Sequence, residues 1–137
     1  MLLVVMSLLG ALALTTTDNE LAITGNVRAA NEAFLAADRA VEFGMCNGAI
    51  ISGVGTDSLD LDAFAADLQR GKGRLDTTKV NQIEYLSAGD LPVGVESDPT
   101  YFEGRYYRIT ASGAVDGHSA VSRIDTQFVR IFPKTGM

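Results

Sequence analysis

Few residues in this chain are of a type and spacing that could do chemistry. His118 is the only histidine and stands beside Gly117 in a run of turn residues. A Ser-His or Cys-His pair would therefore have a single base to draw on, and an exposed loop histidine is the expectation. Cys46 is the only cysteine, so no intramolecular disulfide can form, and a small buried thiol is expected there. The sequence holds no CxxC, no HExxH, no P-loop and no GxGxxG at a strand-helix junction, and Gly53-Val54-Gly55 reads as plain loop. Asp57, Asp60, Asp62 and Asp67 form one acidic cluster. Oxygen-rich loops can hold calcium, but the EF-hand glycine and closing glutamate are missing. A solvated acidic face is expected, with calcium near Asp57, Asp60 and Asp62 as the lesser alternative. Phe102, Tyr106 and Tyr107 could form a ligand patch; aromatics on a strand are expected in the core instead. The reading is a protein with no catalytic site, no cofactor and no small-molecule substrate.

Composition narrows the partners. The net charge is −6 and the 11 basic residues are scattered without a stripe, which argues against nucleic acid. Yet 47% of the residues are apolar and the mean hydropathy is positive, at +0.15. With 137 residues there is material for one modest core.

The apolar excess gathers at the start. Residues 2–14 (LLVVMSLLGALAL) carry no charge and no base precedes them. Such a run spans about 20 Å as a helix, against a bilayer core of about 30 Å. Three readings compete: a secretory signal cut after Ala11-Leu12-Ala13, a buried helix, and the end of a longer apolar helix. The following residues favour the last. Ile23, Val27, Ala30, Phe34, Ala37, Val41 and Gly44 make an apolar seam, flanked by a strip of Ala29, Ala33, Ala36 and Ala40. Arg28 and Glu32 lie one turn apart and can pair. No proline occurs before Pro92. One helix is therefore expected over residues 2 to about 45, stopped by Gly44 and Gly48, with weak spots at Gly10, Thr15-Thr16-Thr17 and Gly25. A compact domain of this size has a radius of gyration of only about 14 Å, so part of the helix must project. The projecting part is the apolar part, and it needs a bilayer or further copies of itself. The seam from Phe34 to Val41 is expected to pack on a sheet.

Beyond Gly48 the pattern turns to short strands and turns. Strands are expected at 49–54, 81–87, 93–96, 101–112 and 119–132, with a short helix between Leu59 and Leu68. Gly113 to Gly117 would join the last two strands as a hairpin. Val121, Ile124, Phe128 and Ile131 do not keep one alternation, which suggests a bulge in the last strand.

A long apolar N-terminal helix before an antiparallel sheet resembles the plan of type IV pilins and pseudopilins. Thr16-Thr17-Asp18-Asn19-Glu20, Gly25-Asn26 and the block Ala33-Phe34-Leu35-Ala36-Ala37-Asp38-Arg39-Ala40 resemble the helix of PilX-like pilus assembly proteins. Asp38 stands where that family usually has glutamate. The closing stretches Tyr107 to Gly113 and Ala120 to Ile124 are similar to the family's last hairpin. Pilin precursors carry a short basic leader ending in glycine, which this sequence lacks; the register of the helix block suggests further residues before Met1. What the resemblance implies is an α+β pilin fold: a long helix packed through its C-terminal half on a small antiparallel sheet. Residues 1–24 would be the projecting apolar helix, and residues 25–137 the head, made of helix 25–45 and a β-rich region 48–137. The implied function is a minor pilin or other structural subunit of a type IV pilus-like filament. Leu2, Leu3, Val4, Val5, Leu8, Leu9, Leu12 and Leu14 would form the assembly interface with other pilin subunits. The subunit would be held as a single span in the inner membrane before assembly, then in an extracellular filament. The alternatives are a type II secretion pseudopilin with a periplasmic filament and a secreted binding module whose first residues are removed.

Overall fold

The computed structural model describes residues 2–134; Met1, residues 135–137 and the side chain of Leu2 lie outside the described residues. The chain is α+β. Helix α1 (Leu2–Cys46) runs unbroken for 45 residues, about 67 Å at 1.5 Å per residue. It passes through Gly10, Thr15-Thr16-Thr17 and Gly25 without a break in helical assignment. The threonine hydroxyls turn back onto the helix and its backbone ladder continues past them. Thr15 and Thr16 donate to the Leu12 carbonyl and Thr17 to that of Ala13, each at 2.9 Å.

Asn47 ends α1 and starts α2 (Gly48–Val54). Its backbone is extended, and its Oδ1 accepts from the N–H groups of Ala49 and Ile50. The strand expected over this segment is therefore a helix. Ile50, Ile51 and Val54 are β-branched and suggest a strand by propensity, but the cap and the burial of all three on one helical face decide the local structure. Cys46 is exposed at the junction, contrary to the buried thiol expected.

Next come β1 (Ser58–Asp60), a 3-10 turn (Asp62–Phe64), α3 (Ala65–Leu68) and β2 (Gly73–Leu75). Three longer strands close the chain: β3 (Gln82–Gly89), β4 (Phe102–Val115) and β5 (Val121–Pro133). All pairings are antiparallel. β4 is the axis of the sheet. Along one edge it pairs with β3 and then with β2; along the other it pairs with β5 over its whole length. The β4–β5 register is continuous from Phe102↔Pro133 to Ala114↔Val121, so the bulge expected in the last strand is absent. The irregularity falls in β3 instead, between Tyr85 and Ser87. No strand forms at 93–96: Val93 is fully exposed in the loop joining β3 to β4.

The sheet receives the C-terminal half of α1, and the packing face is the alanine strip. Ala29, Ala33, Ala36, Ala37, Ala40, Val41 and Gly44 are buried, while Phe34 is 48% exposed. Ala37, Val41 and Gly44 of the expected seam do face the sheet, together with the alanine strip, but Phe34 sits on the flank, because small side chains let the helix approach the sheet far more closely. Gly113 of β4 marks the closest point. A Cβ there would run into the Ala33 carbonyl oxygen and lie 2.6 Å from the Ala37 nitrogen. Gly44 packs closely, though less so, over the side chains of Ile83 and Ile109, whose Cδ1 atoms would lie 2.9 Å and 3.2 Å from an added Cβ. Beyond this seam the core gathers Ile50, Ile51, Val54, Leu61, Leu68, Leu75, Ile83, Tyr107 and Ile109. Tyr107 stacks on Phe128 at 5.3 Å and meets the edge of Tyr85 at 5.8 Å. Of the three aromatics weighed as a ligand patch, Tyr107 is core, Tyr106 half-buried and Phe102 exposed.

Candidate assembly surface

The residues expected to carry assembly all lie on the part of α1 that has left the sheet. Leu3, Val4, Val5, Leu8, Leu9, Leu12 and Leu14 are each more than half exposed, and Leu2 has no described side chain. Met6, Leu21, Ile23 and Val27 extend the same surface toward the head and are likewise more than half exposed. The helix wraps these residues around all sides rather than sorting them to one face. No described part of the chain covers them: burial on α1 begins at Ala29.

The size of this surface can be judged from the total accessible area, 9102 Å². A compact monomer of 14.5 kDa exposes about 6,900 Å² by the usual scaling of area with mass. The excess, about 2,200 Å², exceeds the roughly 1,600 Å² that both partners together bury in a standard interface.

Among the described residues no helix is long and apolar enough to cross a membrane. Among the same residues the charge-free part of α1 before Asp18, residues 2–17, gives about 24 Å of helix against about 30 Å of hydrocarbon. The single-pass inner-membrane anchor expected from the sequence is therefore corrected.

The head offers shallow clefts and little chemistry. His118 is exposed in the turn between β4 and β5, where it lines a cleft of about 180 Å³ with Gly25, Arg28, Glu32 and Lys72. The carboxylates of Asp60 and Asp62 are spent on local structure. Asp60 Oδ1 accepts from the Asp62 N–H at 2.9 Å, and Asp62 Oδ1 accepts from Asn81 Nδ2 at 2.8 Å. Asp57 contributes its carbonyl to the Tyr85 N–H. Among the described residues no group of three or more His, Cys, Asp or Glu is placed to hold a metal ion.

Two features of the surface were not read from the sequence. One is the continued exposure of Phe34 and Leu35 on the head's own stretch of helix. The alanine strip could have revealed it, since a helix that packs through alanine turns its larger neighbours outward. The other is the place of Lys72, in the same cleft as the Arg28–Glu32 pair (3.1 Å) that the spacing of those two residues predicts. The chain was compared with family models, curated proteins and solved structures, and none matches.

Proposed function

We propose that this chain is a non-catalytic structural subunit that assembles, through α1, with further copies or with similar subunits into a pilin-like filament. One observation carries the reading: eleven large apolar side chains between Leu3 and Val27 stand more than half exposed on a helix that leaves its own sheet. Apolar surface of this extent drives association, at about 25 cal/mol for each Å² removed from water. A rod with apolar residues on all sides suits contact with several neighbours at once, as in a bundle, better than contact with one. The resemblance of the helix block and closing hairpin to PilX-like proteins supports the same reading, as does the α+β plan of a long helix on an antiparallel sheet.

The test is association of the full chain in detergent-free buffer, followed by sedimentation velocity and negative-stain microscopy. Wild type is expected to form elongated multimers. Leu8→Asp or Leu9→Asp places an unpaired charge in the contact and is expected to leave a folded monomer, with unchanged urea unfolding of the head. Multimers of normal size from either variant would overturn the proposal.

A further inference from the structure

The charges on α1 are arranged in a way the apolar surface does not explain. Residues 1–27 contain two charged side chains, Asp18 and Glu20, and no Lys or Arg. Neither acid takes part in an ion pair among the described residues. Both sit within the surface that assembly would remove from water, where an unpaired carboxylate is costly. The first base on the helix is Arg28. It lies ten residues from Asp18, about 15 Å along the axis and out of direct reach.

Asp18, Leu21, Gly25, Arg28 and Glu32 follow one another at spacings of three and four, so they share one face of α1. At the head end this face opens onto the 180 Å³ cleft, where Lys72 and His118 stand opposite the helix. Glu32 in that cleft is taken by Arg28 at 3.1 Å, and Asp116 nearby is taken by Arg74. The Lys72 ammonium is in no ion pair among the described residues. At Gly25 an added Cβ would meet open space, so a neighbouring helix can approach the backbone there.

We infer that the axial register between neighbouring copies is set by Asp18 of one copy entering the Arg28–Lys72 cleft of the next, with the two helices parallel and shifted by about ten residues, or 15 Å. This rests on the filament reading above, because it takes a second copy as the occupant. Acid toward one end of the face and base toward the other make the contact head-to-tail. Such a contact leaves an acid free at one end and a cleft free at the other, and so it propagates. The same charges would also fit a closed antiparallel pair, with Asp18 meeting Arg28 reciprocally; the experiment separates the two.

The full chain is used. Asp18→Lys and Lys72→Asp are each expected to raise the concentration needed for assembly by about tenfold, and the double variant to restore it. Both positions are exposed, and circular dichroism with urea unfolding of the head checks that the fold is intact. In a Cys46→Ser background, Asp18→Cys combined with Lys72→Cys is expected to give a ladder of oxidised dimers, trimers and larger species. A band at dimer alone would overturn the parallel register in favour of the closed pair. Wild-type assembly that neither single reversal weakens, or that the double variant fails to restore, would overturn the register and leave the filament reading standing. Failure of the wild type to assemble at all would overturn both.

Discussion

Asn81 and Asp76 show how single residues fasten the head beneath α1. Asn81 is buried between the acidic turn and β4. Its Nδ2 donates to Asp62 Oδ1 and to the Asp76 carbonyl, both at 2.8 Å, and its Oδ1 accepts from the Ser112 N–H at 2.7 Å. Asp76 in turn holds the loop after β2: Oδ1 accepts from the Thr78 hydroxyl at 2.6 Å and from the Thr78 N–H at 3.1 Å. No buried side-chain polar atom among the described residues lacks a partner. The Thr78 hydroxyl holds the Asp76 carboxyl below its ordinary value of 3.8; burial opposes this, and the Thr78 N–H and the Lys79 and Arg74 charges add to it. The folded state thus binds the proton less tightly than the unfolded chain does. Its stabilising contribution is fully present above about pH 4 and is lost as pH falls through the lowered folded value. Urea midpoints measured between pH 7 and pH 3 should fall less steeply for Asp76→Asn than for wild type. Equal slopes would place the acid sensitivity elsewhere.

At the scale of elements, the decisive contact is that of α1 on β4, built from alanine on one side and glycine on the other. Gly113→Ala is expected to lower head stability by about 3 kcal/mol, because its methyl meets rigid helix backbone rather than a yielding side chain. Phe34→Ala, on the exposed flank, is expected to change it by no more than about 0.5 kcal/mol. Guanidinium unfolding of both variants checks the pair, and a large loss at Phe34 would mean that its ring, too, is part of the packing face. The sequence carried much of this architecture. The length of α1 followed from its composition and the lack of proline, and β3, β4 and β5 from alternation between turn signals. What misled was the size of side chains. Phe34 was expected to pack on the sheet with Ala37 and Val41, whereas the close approach at Gly113 leaves room for alanine beside it and turns the Phe34 ring to the flank, a constraint set across the chain. Short elements were equally hidden. α2 depends on one Asn47 cap, and β2 exists because β4 runs on past β3 and offers Gly113 to Val115 for pairing. For the candidate assembly surface, residues 2–14 were legible from their lack of charge, while Lys72 beside Arg28 needed the fold to bring them together.

The whole molecule is a head with a bare apolar rod, and its accessible area is about a third larger than its mass requires. A net charge of −6 resists indiscriminate aggregation of the heads while leaving the nearly uncharged rod free to associate. This division of labour also has a thermodynamic side. From Ala29 onward α1 is braced by the sheet; before it, each turn is held by its own backbone bonds alone. An unbraced helix of such length is only marginally stable in water. In the isolated chain, amide hydrogens should therefore exchange along a gradient, slow near Val41 and progressively faster toward Leu3. Association would flatten that gradient, because neighbours would brace the rod as the sheet braces its other half. Hydrogen exchange read by mass spectrometry on monomer and multimer would measure the difference directly. A rod equally protected in both would mean that it does not need its neighbours to stay wound. If the gradient is present, the free subunit carries a frayed end that winds up only on joining others, so that folding of the N-terminal stretch of the helix and growth of the assembly become one event.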